Sequence, residues 1–146
     1  VGVASLAMAR LQNKLINMDE LPKIRPTKID EAGMFRRYGA EIGKFCINEC
    51  QKKAFSPDEL EVFNQRLREL WPALREELRA MTISVSLMED ALKMAGGPID
   101  ADSLGLPRTI WRNALKYARE IRGRWSFLDL ADDADLLDEF LDEEGL

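Results

Sequence analysis

Apolar residues recur along this chain at steps of three and four, and no stretch alternates apolar with polar over a useful length. That period predicts helices throughout and no sheet. Val1 to about Asn17 forms the first helix, with small and apolar residues on every side as far as Ala9, a pattern expected of a helix buried all round. Pro22 and Pro26 hold an extended connection. Asp30 caps a long second helix to about Lys53, with Met34, Phe35, Tyr38, Ile42, Phe45, Cys46 and Cys50 along one stripe and with Gly39 and Gly43 spaced for close backbone approach. Ser56-Pro57-Asp58-Glu59 is a capping box with Pro at the first helical position. The helix it starts carries Leu60, Phe63, Leu67 and Leu70, and Pro72 kinks it or restarts it as a further helix through Leu74, Leu78 and Met81. A short helix from Ser86 to Ala95 is stopped by Gly96-Gly97-Pro98. Pro107 opens another, whose buried face is Ile110, Trp111, Ala114, Leu115, Ala118 and Ile121. The expected fold is all-α: a multi-helix bundle, one domain over residues 1–146, at least two-thirds helical, with Trp111 and Phe45 largely buried.

Composition narrows the chemistry. The 146 residues carry 21 Lys+Arg, 26 Asp+Glu and no histidine, for a net charge of −5. Without histidine there is no Ser-His-Asp or Cys-His nucleophile and no histidine-ligated zinc or iron. The acidic balance argues against nucleic acid as a partner. Cys46 and Cys50 stand one helical turn apart, which suits two buried thiols in a reducing cytoplasm better than a disulfide. The opening apolar run has no basic region before it, and Arg10 ends it at half the length of about 18–20 residues that a membrane span needs. A buried helix that begins at residue 1 without a cap reads as one cut from a longer protein.

Charge order adds the most informative feature. Arg119, Arg122 and Arg124 fall where one helix stops and a Ser126-capped helix begins, with Gly123 to turn the chain sharply. Cationic forks clustered on a tight corner are how a protein holds a phosphate or carboxylate. The preceding helix is basic along one stripe (Arg108, Arg112, Lys116, Arg119, Arg122). Every charged residue after Arg124 is acidic: Asp129, Asp132, Asp133, Asp135, Asp138, Glu139, Asp142, Glu143 and Glu144. The two segments are suited to a neutralised hairpin. Surface ion pairs are worth only about 0–1 kcal/mol each, so Phe127, Leu128, Leu130, Leu136, Leu137, Phe140 and Leu141 must supply most of the docking. Two roles stay open for the corner: anion binding, or clamping the acidic segment through Asp129 or Asp132.

The segment Ile121 to Leu137 (IRGRWSFLDLADDADLL) resembles the closing motif of bacterial glycerol-1-phosphate dehydrogenases, Arg-x-Arg-aromatic-Thr/Ser before a Leu-Asp-Leu helix. Val1-Gly2-Val3-Ala4-Ser5-Leu6 is similar to the segment directly after that family's His-Gly metal-ligand motif. Tyr38-Gly39-Ala40-Glu41-Ile42-Gly43, Trp71-Pro72, Ala95-Gly96-Gly97-Pro98 and Leu104-Gly105-Leu106-Pro107 fit between them in order. The resemblance spans nearly the whole chain. It implies the distal part of a dehydroquinate synthase-like helical domain, from an enzyme that interconverts glycerol 1-phosphate and dihydroxyacetone phosphate with NAD(P) and a divalent metal (Zn, Ni or Fe). The family's Asp and two His ligands and its dinucleotide-binding α/β domain would lie upstream of Val1. This chain would then hold no catalytic, cofactor or metal residue and be inactive alone. Its partners would be that upstream domain, a small phosphorylated polyol contacted by Arg122 or Arg124, and in a homo-oligomer further copies. A stand-alone helical interaction module, or another polyol or dehydroquinate synthase-like enzyme, remains open.

Overall fold

The computed structural model describes residues 1–146. It is all helical, with about 70 % of residues in helices and no strand. The helices are α1 (Gly2–Ile16), α2 (Glu31–Gln51), α3 (Pro57–Met81), α4 (Val85–Met94), α5 (Arg108–Tyr117), α6 (Phe127–Asp133) and α7 (Leu137–Glu143). Two short 3₁₀ turns, Asp102–Leu104 and Ala118–Ile121, precede and follow α5.

The main core forms around α1. Ala7, Leu11 and Leu15 meet Leu60 of α3, Leu115 of α5 and the apolar faces of α6 and α7, among them Leu128, Leu130, Ala131, Leu137, Phe140 and Leu141. The C-terminal segment thus docks through the apolar residues that its sequence sets aside for the purpose. The connection between α1 and α2 runs extended, and Ile24 within it is fully enclosed. The Asn64 side chain holds it as a neighbouring strand would: Ile24 N–H donates to Asn64 Oδ1 at 2.8 Å, and Asn64 Nδ2 donates to the Ile24 carbonyl at 2.9 Å. These bonds supply partners for backbone groups that burial removes from water.

Four expectations need correcting. The α1 helix is not buried all round: Val1, Ala4 and Ser5 are exposed, and they form an open face. The α2 stripe does not reach one core. Gly39 takes φ 77°, ψ 178°, which no helix tolerates, and splits α2 in two. Gly43 then packs on the first half, where a Cβ would lie 3.2 Å from the Met34 carbonyl oxygen. Met34, Cys46, Ile47 and Cys50 form a small second core, with both cysteines as free thiols. Phe35, Ile42 and Phe45 are rotated out, leaving Phe45 54 % exposed. Trp111 is only half-buried, and Ile110 and Ile121 of the expected α5 face are exposed. Finally, α3 continues through Pro72 without restarting, and α4 starts at Val85, with Ser84 as its cap.

The two environments give opposite outcomes for truncation. Leu11→Ala is expected to lower unfolding free energy by about 2–5 kcal/mol through a cavity in the main core. Phe45→Ala is expected to change it by no more than about 0.5 kcal/mol, because Phe45 packs into no core. Denaturant titration of both variants checks the ranking, and a larger loss at Phe45 would restore the uninterrupted α2 stripe.

Candidate functional site

The arginine corner divides into two parts. After Tyr117 the chain tightens from α-helix to a 3₁₀ turn, so Arg119 and Glu120 point inward. Arg122 then becomes extended (φ −138°, ψ 137°) and leaves the helical stripe. Arg119 and Arg122 therefore do not share a face. Gly123 makes no left-handed turn, since its φ is not positive; it passes beside α2, where a Cβ would meet the movable ends of Glu49 and Lys52 and would stand 3.5 Å from the Glu49 carbonyl oxygen. Trp125 anchors the other side, edge-on to Phe63 at 5.2 Å between ring centroids and to Phe55 at 6.2 Å.

Arg119 is the clamp. Its guanidinium meets Asp129 at 3.1 Å and Asp132 at 2.6 Å. Lys53, two residues beyond α2, reaches the same Asp129 oxygen at 2.6 Å. Asp129 is 1 % exposed. Its other oxygen accepts from the Ser126 backbone N–H at 2.9 Å and the Ser126 hydroxyl at 2.8 Å, closing the cap of α6. Asp133 accepts from the Thr27 hydroxyl and the Trp125 indole. Lys53 and Arg119 thus face three carboxylates, one more than they can neutralise. Burial pushes Asp132 and Asp133 above the usual Asp range, and Arg119 only partly offsets this. Nearby, Glu120 accepts from Arg37 at 2.6 Å and from Tyr38 at 2.9 Å. Burial first, and then that carboxylate, push the Tyr38 hydroxyl up to about 12.

The rest of the basic stripe is neutralised as a hairpin. Arg108 pairs with Asp102, Arg112 with Asp138 and Asp142, and Lys116 with Asp138. α1 contributes cations that its apolar sequence does not advertise: Arg10 holds Glu144, and Lys14 holds Glu139 and Glu143. A polar cleft of about 370 Å³ beside this network is lined by Arg25, Arg37, Lys116 and Arg119, each paired with a carboxylate, and by Lys28, which makes no ion pair but shares the cleft with Asp30, Glu120, Asp132, Asp133, Asp135 and Asp138. It offers a new anion little.

Arg122 and Arg124 differ from all of these. Both are exposed, and neither side chain makes a hydrogen bond or ion pair. They stand on one wall of a trough whose floor is the open face of α1, Val1, Ala4, Ser5, Met8 and Gln12. The opposite wall is Leu78 and Met81 of α3, Ile83 of the connection after it, and Met88 of α4. The trough comprises two adjoining hollows of about 850 and 580 Å³, and no acidic residue lines either. No cluster of three or more His, Cys, Asp or Glu has metal-ligating geometry, and Gly96-Gly97 follows the end of α4. No known family, characterised protein or solved structure matches the chain.

The clamp should be expensive to break. Asp129→Ala leaves Lys53 and Arg119 buried without their shared carboxylate, and is expected to cost about 3–5 kcal/mol by chemical denaturation. A loss no larger than that of an exposed pair would make the cluster incidental.

The pH dependence follows from the raised carboxyls. The folded chain holds the Asp132 and Asp133 protons more tightly than the unfolded chain. Their stabilisation is full below the ordinary value of 3.8 and is lost as pH rises through the raised folded value. Asp138 works the other way, because its hydrogen bond from Lys116 lowers it, and its contribution is lost as pH falls. Between about pH 4 and 7, the Tm of Asp133→Asn should therefore rise relative to the unsubstituted chain. A Tm difference that is constant with pH would show that Asp133 carries no raised carboxyl.

Proposed function

We propose that this chain is the helical C-terminal part of an NAD(P)- and metal-dependent glycerol-1-phosphate dehydrogenase. The reading rests on the resemblance of the ordered motifs, and one observation carries it further: the two unpaired arginines. In a chain whose other arginines around the corner are committed to carboxylates, Arg122 and Arg124 remain free to meet an external anion. Arg122 borders the same hollow as Val1. In this reading the metal-ligand motif directly precedes Val1, so the corner would lie on the side where substrate is held. The clamping role goes to Arg119, which leaves the phosphate role to its two neighbours. Metal and nicotinamide belong to residues outside these 146, and no catalytic step is assigned to this chain. A polyol or dehydroquinate synthase-like relative acting on another anionic substrate would use the corner in the same way.

Two measurements test the reading. In the longer polypeptide it requires, Arg122→Ala or Arg124→Ala should raise KM for the phosphorylated substrate, or lower kcat/KM, by roughly tenfold or more with Tm almost unchanged. A reading frame with no His-Gly pair immediately before Val1 would overturn it. So would nicotinamide reduction with glycerol 1-phosphate by the 146-residue chain alone.

A further inference from the structure

The trough has the shape of a seat for a helix. Its floor presents Ala4 and Ser5, small enough for another backbone to come close, and its walls are long apolar side chains that include Met8, Met81 and Met88. Flexible thioethers of this kind adapt to a partner's apolar face. From Val1 to Gln12 the floor runs about 17 Å at 1.5 Å per residue, the length of a helix of about eleven residues. Its only free charges are positive, in a chain of net −5.

One helix of the chain itself has the complementary features. α4 has ten residues and buries none of them. Its inward side is spent on α1, with Leu92 against Gly2 and Glu89 paired to Arg10. Its outward side is a second apolar stripe, Leu87, Ala91 and Met94, at steps of four and three. Leu87 is 61 % exposed and Met94 90 %. Asp90 borders that stripe and makes no ion pair, while Lys93 lies farther round the helix. Nothing within the chain covers this stripe, and nothing within it fills the trough.

We infer that the partner is a second copy of this chain, with α4 of each protomer laid in the trough of the other and Asp90 meeting Arg122 across the contact. A two-fold arrangement makes the contact self-complementary, so each protomer contributes one helix and one trough. The recognition is that of an amphipathic helix in an apolar groove, with the charge pair setting its direction. The inference does not rest on the dehydrogenase reading: it takes Arg122 for the contact between copies, so that an anion would be left to Arg124 alone.

Sedimentation equilibrium on the 146-residue chain decides it. At roughly 100 µM chain a contact of this kind should populate a dimer. Leu87→Glu and Met94→Glu, both on exposed positions, should give monomers with unchanged helical circular dichroism. Arg122→Glu should weaken association by about tenfold, and adding Asp90→Arg to it should restore the dimer. A monomeric chain at that concentration overturns the inference. So does a dimer indifferent to Leu87→Glu, or one abolished instead by Phe45→Glu on the other exposed apolar face. The Leu87→Glu and Met94→Glu outcomes read association alone and Arg124→Ala reads KM alone, so the dimer and the phosphate role of Arg124 fail separately.

Discussion

Asp129 stands where three parts of the chain must meet, and its carboxylate is shared among all of them. Lys53 brings the end of α2, Arg119 brings the 3₁₀ turn after α5, and Ser126 brings the start of α6. A charge this deeply buried is tolerable only when every lone pair has a donor. The requirement runs in both directions. Asp129 is the one carboxylate that Lys53 and Arg119 share, although Arg119 also pairs with Asp132, so the packing of α2, α5 and α6 meets at this side chain. The α6 cap is part of the same arrangement, since the oxygen that accepts from Ser126 belongs to the group that holds the two cations.

The geometry of the corner follows from this. Arg119 is drawn inward by the tightening of the helix, and the chain must then leave the helical path to bring Ser126 over Asp129. Gly123 passes beside α2, next to Glu49 and Lys52, and Trp125 closes on Phe63 and Phe55. What remains outside is Arg122 and Arg124, exposed because the residues on either side of them are committed. Their availability to an anion or a partner is thus a consequence of the clamp.

Electrostatics divides the molecule in the same manner. The acidic end is neutralised from two sides, by Arg112 and Lys116 of α5 and by Arg10 and Lys14 of α1. The trough across α1 is lined by arginines and apolar side chains, with no acidic residue. That asymmetry, in a chain of negative net charge, makes the trough the face most suited to receive another body.

Much of the architecture was legible in the order of residues. The 3.6-residue period, the caps at Asp30, Ser56 and Ser126, and the apolar set of the C-terminal segment are local signals, and local backbone energetics suffices to read them. The buried thiols followed from their spacing, and the hairpin of opposite charges from the distribution of Arg, Lys, Asp and Glu. The places where reading by period failed are those where one residue changes the direction of the chain. Gly39 admits a conformation that ends the stripe reaching Phe45, yet its letter alone does not distinguish a hinge from a close approach. The 3₁₀ turn separates Arg119 from Arg122, although a regular helix would align them. Asn64 bonding to Ile24 joins residues forty apart, and Lys53 pairs with Asp129 seventy-six positions away. Periodicity specifies which face of a helix is apolar. Which face finds a neighbour, and which arginine is left without one, depends on how several helices share a limited interior, and only the tertiary structure decides that.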